Sequence, residues 1–219
     1  MTIAPVAVQC ASERMNQTMP IVPDESAARE HFARLGYAVL PALTAPALTE
    51  FLWSYVHTKL ASGLLDWTDK LVPRTPSSYG DAAAEGLLEH VQDRIEAVAG
   101  RTLLPTYSYF RIYKHGDALL SHRDRPACEF SISLNIGQDP GEPWPIFVES
   151  SQGPAAVDLQ PGDALLYRGV EMFHWRERYE GRQLAQFFLF YVDAQGSHAA
   201  EKFDGRPALM IPKSVVRMP

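Results

Sequence analysis

The chain has 219 residues, 46% of them hydrophobic and 21% charged, with a formal net charge of −6. That length suits one domain with a full core, and the acidic balance gives no general attraction for phosphate backbones, so nucleic acid is not an expected partner. Cys10 and Cys128 stand far apart without a C-x-x-C, no apolar run approaches the roughly 18 residues of a membrane helix, and the first residues lack a signal-peptide pattern; a disulfide scaffold and a membrane span are disfavoured, and the cytoplasm is the default location.

Residues 1–24 have no clear period and read as an irregular lead-in. Asp24 or Ser26 is placed to cap a helix running to about Leu35 and closed by Gly36. Tyr37 to Pro41 reads as a short strand. Thr44 or Thr49 opens a second helix to about Leu60, with Leu48, Phe51, Leu52, Tyr55 and Val56 at helical spacing. Residues 61–80 carry Gly63, Pro73, Pro76 and Gly80 and read as a long loop; Trp67, Arg74 and Tyr79 make it a candidate lid. A third helix is expected from about Asp81 to Val98, its apolar stripe Leu87, Leu88, Val91, Ile95 and Val98, with Gly100 as the stop.

After Gly100 the pattern changes to short strands: 106–113, 129–136, 145–148, 155–159, 163–167 and 184–192, separated by turns such as Asp139-Pro-Gly and Pro161-Gly-Asp. Helices followed by many short strands predict an α+β chain, mainly β, whose second half is a sandwich or barrel. The expected organisation is helical support over 25–100, a core over about 101–195 and an extension over 196–219, all within a single domain over 25–219. Phe203 to Pro219 is expected to pack across the outside.

His122-Arg-Asp124 is an H-x-D, and His174 follows in F-H-W. Residues two apart on a strand face the same side, so His122 and Asp124 can converge on one ion, with His174 brought from another strand. Two imidazoles and a carboxylate suit Fe(II), Mn, Co, Ni or Zn better than calcium or magnesium, and three protein ligands leave open positions. Arg182 stands eight positions after His174, behind Gly181. Its planar fork is suited to a carboxylate.

From about Tyr107 to Val192 the chain resembles the catalytic core of the Fe(II)/2-oxoglutarate-dependent dioxygenases, closest to their prolyl-4-hydroxylase-like branch. The segments that carry this are R-I-Y-K-H-G, S-H-R-D, S-I-S-L-N, L-Q-P-G-D-A-L-L-Y, F-H-W and Y-E-G-R. The resemblance implies a double-stranded β-helix, or jelly roll, with N-terminal supporting helices. It implies that His122, Asp124 and His174 bind Fe(II), that Arg182 and Tyr113 bind 2-oxoglutarate, and that O2 is the second cosubstrate. Decarboxylation of 2-oxoglutarate to succinate would be coupled to C–H oxidation, most simply hydroxylation. The family's further tyrosines are missing: Leu119 and Leu120 stand before the H-x-D, and Ser131 and Ser133 follow it, so serine hydroxyls are expected to line the keto-acid pocket. A prolyl substrate therefore does not carry over.

Strand phase places Tyr107, Tyr109 and Arg111 on the face of Tyr113. Tyr109, Arg111, Arg125 and Trp175 are the substrate candidates; Tyr107 and Tyr109 read equally as core aromatics, Arg125 as a partner of Glu129, and Trp175 as packing. The expected substrate is a small molecule, an amino acid or a peptide side chain, and a homodimer is left open. The alternatives are a cupin-like metal-binding sensor without oxygenase activity and a nucleic-acid base demethylase.

Overall fold

A computed structural model describes residues 25–139 and 144–211. The N-terminal lead-in, residues 140–143 of the turn after Asp139 and the end of the C-terminal extension lie outside the described residues. Helix α1 spans Glu25–Leu35 and buries Phe32 and Leu35, and Gly36 follows at φ 81°. Helix α2 spans Pro46–Ala61. The threonine cap expected for it does not form. Pro46, whose fixed φ suits a first helical turn, starts the helix after Ala45, while the Thr44 and Thr49 hydroxyls bond each other at 2.8 Å. Helix α3 spans Ala82–Ala99. Asp81 caps it by accepting from the amides of Ala83 and Ala84 at 3.0 and 3.3 Å. Gly100, left-handed at φ 69°, ends it. The expected stripe of α3 is buried throughout.

Ten strands follow or interleave: β1 Tyr37–Leu40, β2 Ser77–Tyr79, β3 Leu103–Lys114, β4 Leu119–His122, β5 Phe130–Gln138, β6 Ile146–Ser150, β7 Gly153–Val157, β8 Ala164–Arg168, β9 His174–Arg176 and β10 Gln183–Asp193. They form a six-stranded sheet, β1-β8-β5-β10-β3-β2, facing a four-stranded one, β4-β9-β6-β7. All the pairings are antiparallel. This is the double-stranded β-helix. Strands β2, β4 and β9 are three or four residues long, too short to show an alternation, and they exist because a neighbour pairs with them. One consequence corrects the loop reading of residues 61–80: Ser77–Tyr79 pairs with Arg111–Tyr109 of β3.

The large sheet explains why its strands read as nearly continuous apolar runs. One face, including Ile132 and Leu134 of β5, Phe187 and Leu189 of β10 and Phe110 of β3, packs with Leu52, Val56, Leu88 and Ile95 of the helices. Truncating such a residue, for instance Phe187→Ala, costs about 3–5 kcal/mol. The other face looks into the jelly roll, and there the buried side chains are partly polar: Arg111, Ser131, Ser133, Asn135 and Gln186. The described part of the extension after β10 is tied down. Arg206 is buried and pairs with the buried Glu85 of α3 at 2.6 Å. Among the described residues no helix is long and apolar enough to cross a membrane.

Candidate metal centre

β4 ends at His122, and its register with β9 sets His122 opposite His174. The rings lie 4.3 Å apart between centroids. The chain then turns, and the Asp124 amide donates to Gly169 O at 2.9 Å, which swings the carboxylate back toward both imidazoles. Asp124 Oδ1 lies 3.7 Å from His122 Nε2 and 3.6 Å from His174 Nε2. The potential ligand atoms of the three residues all lie within 4.8 Å of one another, close enough to share one ion.

Each ligand is oriented from behind. His122 Nδ1 is 2.8 Å from Leu120 O, and His174 Nδ1 is 3.2 Å from Met172 O. A carbonyl only accepts, so both Nδ1 atoms carry the proton and both Nε2 lone pairs face Asp124. Ser131 Oγ donates to Asp124 Oδ2 at 2.7 Å, which leaves Oδ1 for a metal. Burial lowers the His174 pKa, joined by the neighbouring His122 and opposed by Asp124, and this favours the neutral form that binds metal. Two imidazoles and one carboxylate fit a divalent first-row ion such as Fe(II).

The triad opens onto a cavity of about 240 Å³. Leu71, Tyr79, Tyr107, Leu119, Phe188 and Phe190 supply much of its wall. Tyr109, Arg111 and Arg125 also line it, as strand phase suggested for the first two. Both arginines are already paired. Arg111 forms a fork with the buried Asp69, from Nε to Oδ2 and from Nη2 to Oδ1, and Asp69 also accepts from the Tyr109 hydroxyl at 2.8 Å. Arg125 donates to Asp204 at 2.7 Å and lies over the Tyr107 ring at 4.5 Å. The expected partner Glu129 instead accepts from the Asp193 amide.

Other expected positions fall elsewhere. Trp175 alternates with His174 and points to the outer face of the small sheet, where it stacks on Phe147 at 5.3 Å. Ser131 supports Asp124, and Ser133 Oγ accepts from Gln186 Nε2 at 2.9 Å. Tyr113 is fully buried behind the cavity wall, its ring edge-on to Trp144 at 4.9 Å. Arg182 lies on the surface. Its side chain is 81% exposed and its Nε pairs with Asp139 at 3.2 Å. Arg182 stands immediately before β10 and faces solvent, so the structure does not bring it to the metal centre.

Three residues that were not singled out in the sequence belong here. Gly169 packs so closely that a Cβ would strike Ser131 Oγ and Cys128 O and come within 2.5 Å of Asp124 Oδ2. Tyr167 is buried with its ring 4.7 Å from that of His174. Arg176 is buried two residues beyond His174. Its Nη2 donates to Gln186 Oε1 at 2.9 Å, and its Nε has no hydrogen-bond partner. Burial without an acid pushes its pKa down to about 10. The turn glycine after β8 and the H-x-R of β9 were visible in the sequence, but nothing local marked them.

No family model matches the chain, and no curated protein matches it. Solved structures do share its fold. The epimerase SnoN of nogalamycin biosynthesis, an alpha-ketoglutarate-dependent non-heme protein, superposes with a TM-score of 0.66 at 14% identity, over 78% of this chain and 83% of its own. A prolyl-4-hydroxylase from Pseudomonas putida gives 0.61 at 16% identity, over 76% and 97%. HygX from Streptomyces hygroscopicus, solved with nickel, 2-oxoglutarate and hygromycin B, gives 0.62 at 13% identity, over 78% and 88%. The chain therefore has the double-stranded β-helix fold found in the Fe(II)/2-oxoglutarate oxygenases.

Proposed function

We propose that this protein is an Fe(II)- and 2-oxoglutarate-dependent oxygenase that oxidises a C–H bond of a small, largely apolar organic molecule or side chain. The observation that carries this reading is the His122–Asp124–His174 cluster. Both Nε2 atoms face one carboxylate oxygen at the wall of a cavity, in a fold shared with oxygenases of that chemistry. In the SnoN and HygX structures the fold holds a metal with the keto acid, which supports the same pairing here. When bound, iron and 2-oxoglutarate supply the activation of O2, with the keto acid leaving as succinate and CO2.

The chain's own residues do the rest. His122, Asp124 and His174 hold the ion on one side. Ser131 and the two backbone carbonyls fix their orientation. The Tyr79, Tyr107, Phe188 and Phe190 rings keep bulk water from the reacting centre and favour a substrate with aromatic or aliphatic surface. Because Arg111 and Arg125 both have carboxylate partners, the lining presents little spare positive charge, so a neutral substrate is favoured over an acidic one. The same pairing lends no support to a base demethylase.

Anaerobic addition of Fe(II) followed by 2-oxoglutarate tests the reading. A visible charge-transfer absorption should develop, decay when O2 enters, and leave succinate. Iron binding with neither absorption nor succinate formation would sink the oxygenase assignment and bring the metal-sensor reading forward.

A further inference from the structure

Among the described residues Arg176 is the buried arginine that lacks an acid. Arg111 has Asp69, Arg206 has Glu85 and the half-buried Arg125 has Asp204. Arg176, only 3% exposed, is held by neutral groups alone. Nη1 donates to Trp144 O and Nη2 to Gln186 Oε1, its guanidinium lies over the Trp144 ring at 4.6 Å, and Nε is orphaned. A buried guanidinium in that state is costly, and an anion delivered to it relieves the cost.

Its place in the barrel says which anion. Arg176 shares the inner face of β9 with His174, and its register partner on β4 is Leu119, a wall residue of the metal cavity. Two residues along a strand rise about 6.6 Å, a distance a five-carbon chain bridges. We propose that Arg176 receives the far carboxylate of the keto acid, in place of Arg182. Gln186 acts as a positioning residue. It accepts from Arg176 and is itself braced on Ser133 at 2.9 Å, so the fork cannot rotate away. This inference rests on the oxygenase reading above and assigns the clamp to β9 rather than to the exposed residue that precedes β10.

The test compares 2-oxoglutarate with pyruvate, a keto acid that lacks the far carboxylate, by anaerobic titration of the full-length Fe(II) protein. The readout is the charge-transfer absorption, with isothermal calorimetry alongside. The wild type should prefer 2-oxoglutarate by roughly 30- to 100-fold, as expected for a charge-assisted pair. Arg176→Gln should bind Fe(II) normally and pyruvate as before while losing that preference, and Arg182→Ala should keep it. Arg176→Lys and Gln186→Leu, which leave the barrel filled, decide the matter if Arg176→Gln does not fold; both should weaken 2-oxoglutarate and spare pyruvate. A folded Arg176→Gln with wild-type preference, wild-type preference in both Arg176→Lys and Gln186→Leu, or its loss in Arg182→Ala, overturns the assignment. A wild type that binds Fe(II) but neither keto acid instead removes the oxygenase reading and the clamp with it, an outcome distinct from the loss of preference alone.

Discussion

Asp124 illustrates how much of this site depends on residues that never touch a metal. Its Oδ1 faces both imidazoles because Oδ2 is occupied by Ser131 and because its amide is pinned to Gly169 O. Removing the Ser131 hydroxyl should lower metal affinity about 10- to 100-fold, the usual effect of losing the group that orients a ligand. Gly169→Ala should do more damage, since the added methyl occupies the space of Ser131 Oγ and crowds Asp124 Oδ2. Calorimetric titration with Fe(II) or Mn(II) measures both variants; affinity unchanged in Gly169→Ala would contradict the close packing described for Asp124. At the same scale, Arg182 and Trp175 show the limit of motif reasoning. Spacing in the sequence gives candidates, but whether a side chain faces the barrel depends on strand phase at a turn of irregular length.

At the level of elements, the segment between α2 and α3 is anchored more firmly than its prolines and glycines suggest. β2 pairs with β3, and Asp69 sits between the Arg111 fork, the amides of Leu71 and Val72 and the Tyr109 hydroxyl. Burial by itself raises the Asp69 carboxyl, but Arg111, through its hydrogen bond and charge, with the Val72 amide and Tyr109, brings it below the ordinary carboxylate range. A depressed carboxylate stabilises the fold above its unfolded pKa of about 3.9, and that contribution is lost as pH falls through the lower folded value. Asp69→Asn should cost about 3 kcal/mol at neutral pH, because it leaves Arg111 buried without its acid. It should also flatten the acid limb of the stability profile. Urea denaturation between neutrality and acid pH gives both quantities; an acid limb as steep as that of the wild type would show that Asp69 is not its source.

For the molecule as a whole, the six- and four-stranded sheets have separate duties. The large sheet carries the hydrophobic packing against the helices on one face and a row of polar side chains on the other, and the small sheet brings both histidines. A metal joins β4, β9 and the turn after β4, so it should stabilise the global fold. At a hundredfold excess over its dissociation constant the gain is about 2.7 kcal/mol, which for a chain of this size raises Tm by roughly 5–10 °C. Anaerobic differential scanning calorimetry should show that rise with Fe(II) in the wild type and none in Asp124→Ala. An equal rise in both would place the ion elsewhere.

The sequence by itself determined the three helices and most long strands, because hydrophobic periodicity, Asp81 as a cap and Gly36 and Gly100 as stops are local signals. It also determined the H-x-D and the later histidine, since a metal's ligand types are written in the residues themselves. The tertiary structure alone decided that Arg176 is buried and Arg182 exposed, which hydroxyl supports Asp124 and that three- and four-residue strands exist at all. Those outcomes depend on register between segments far apart in the chain: pairing His122 with His174 sets Leu119 against Arg176 and turns Trp175 outward, and no local pattern in the sequence specifies that pairing.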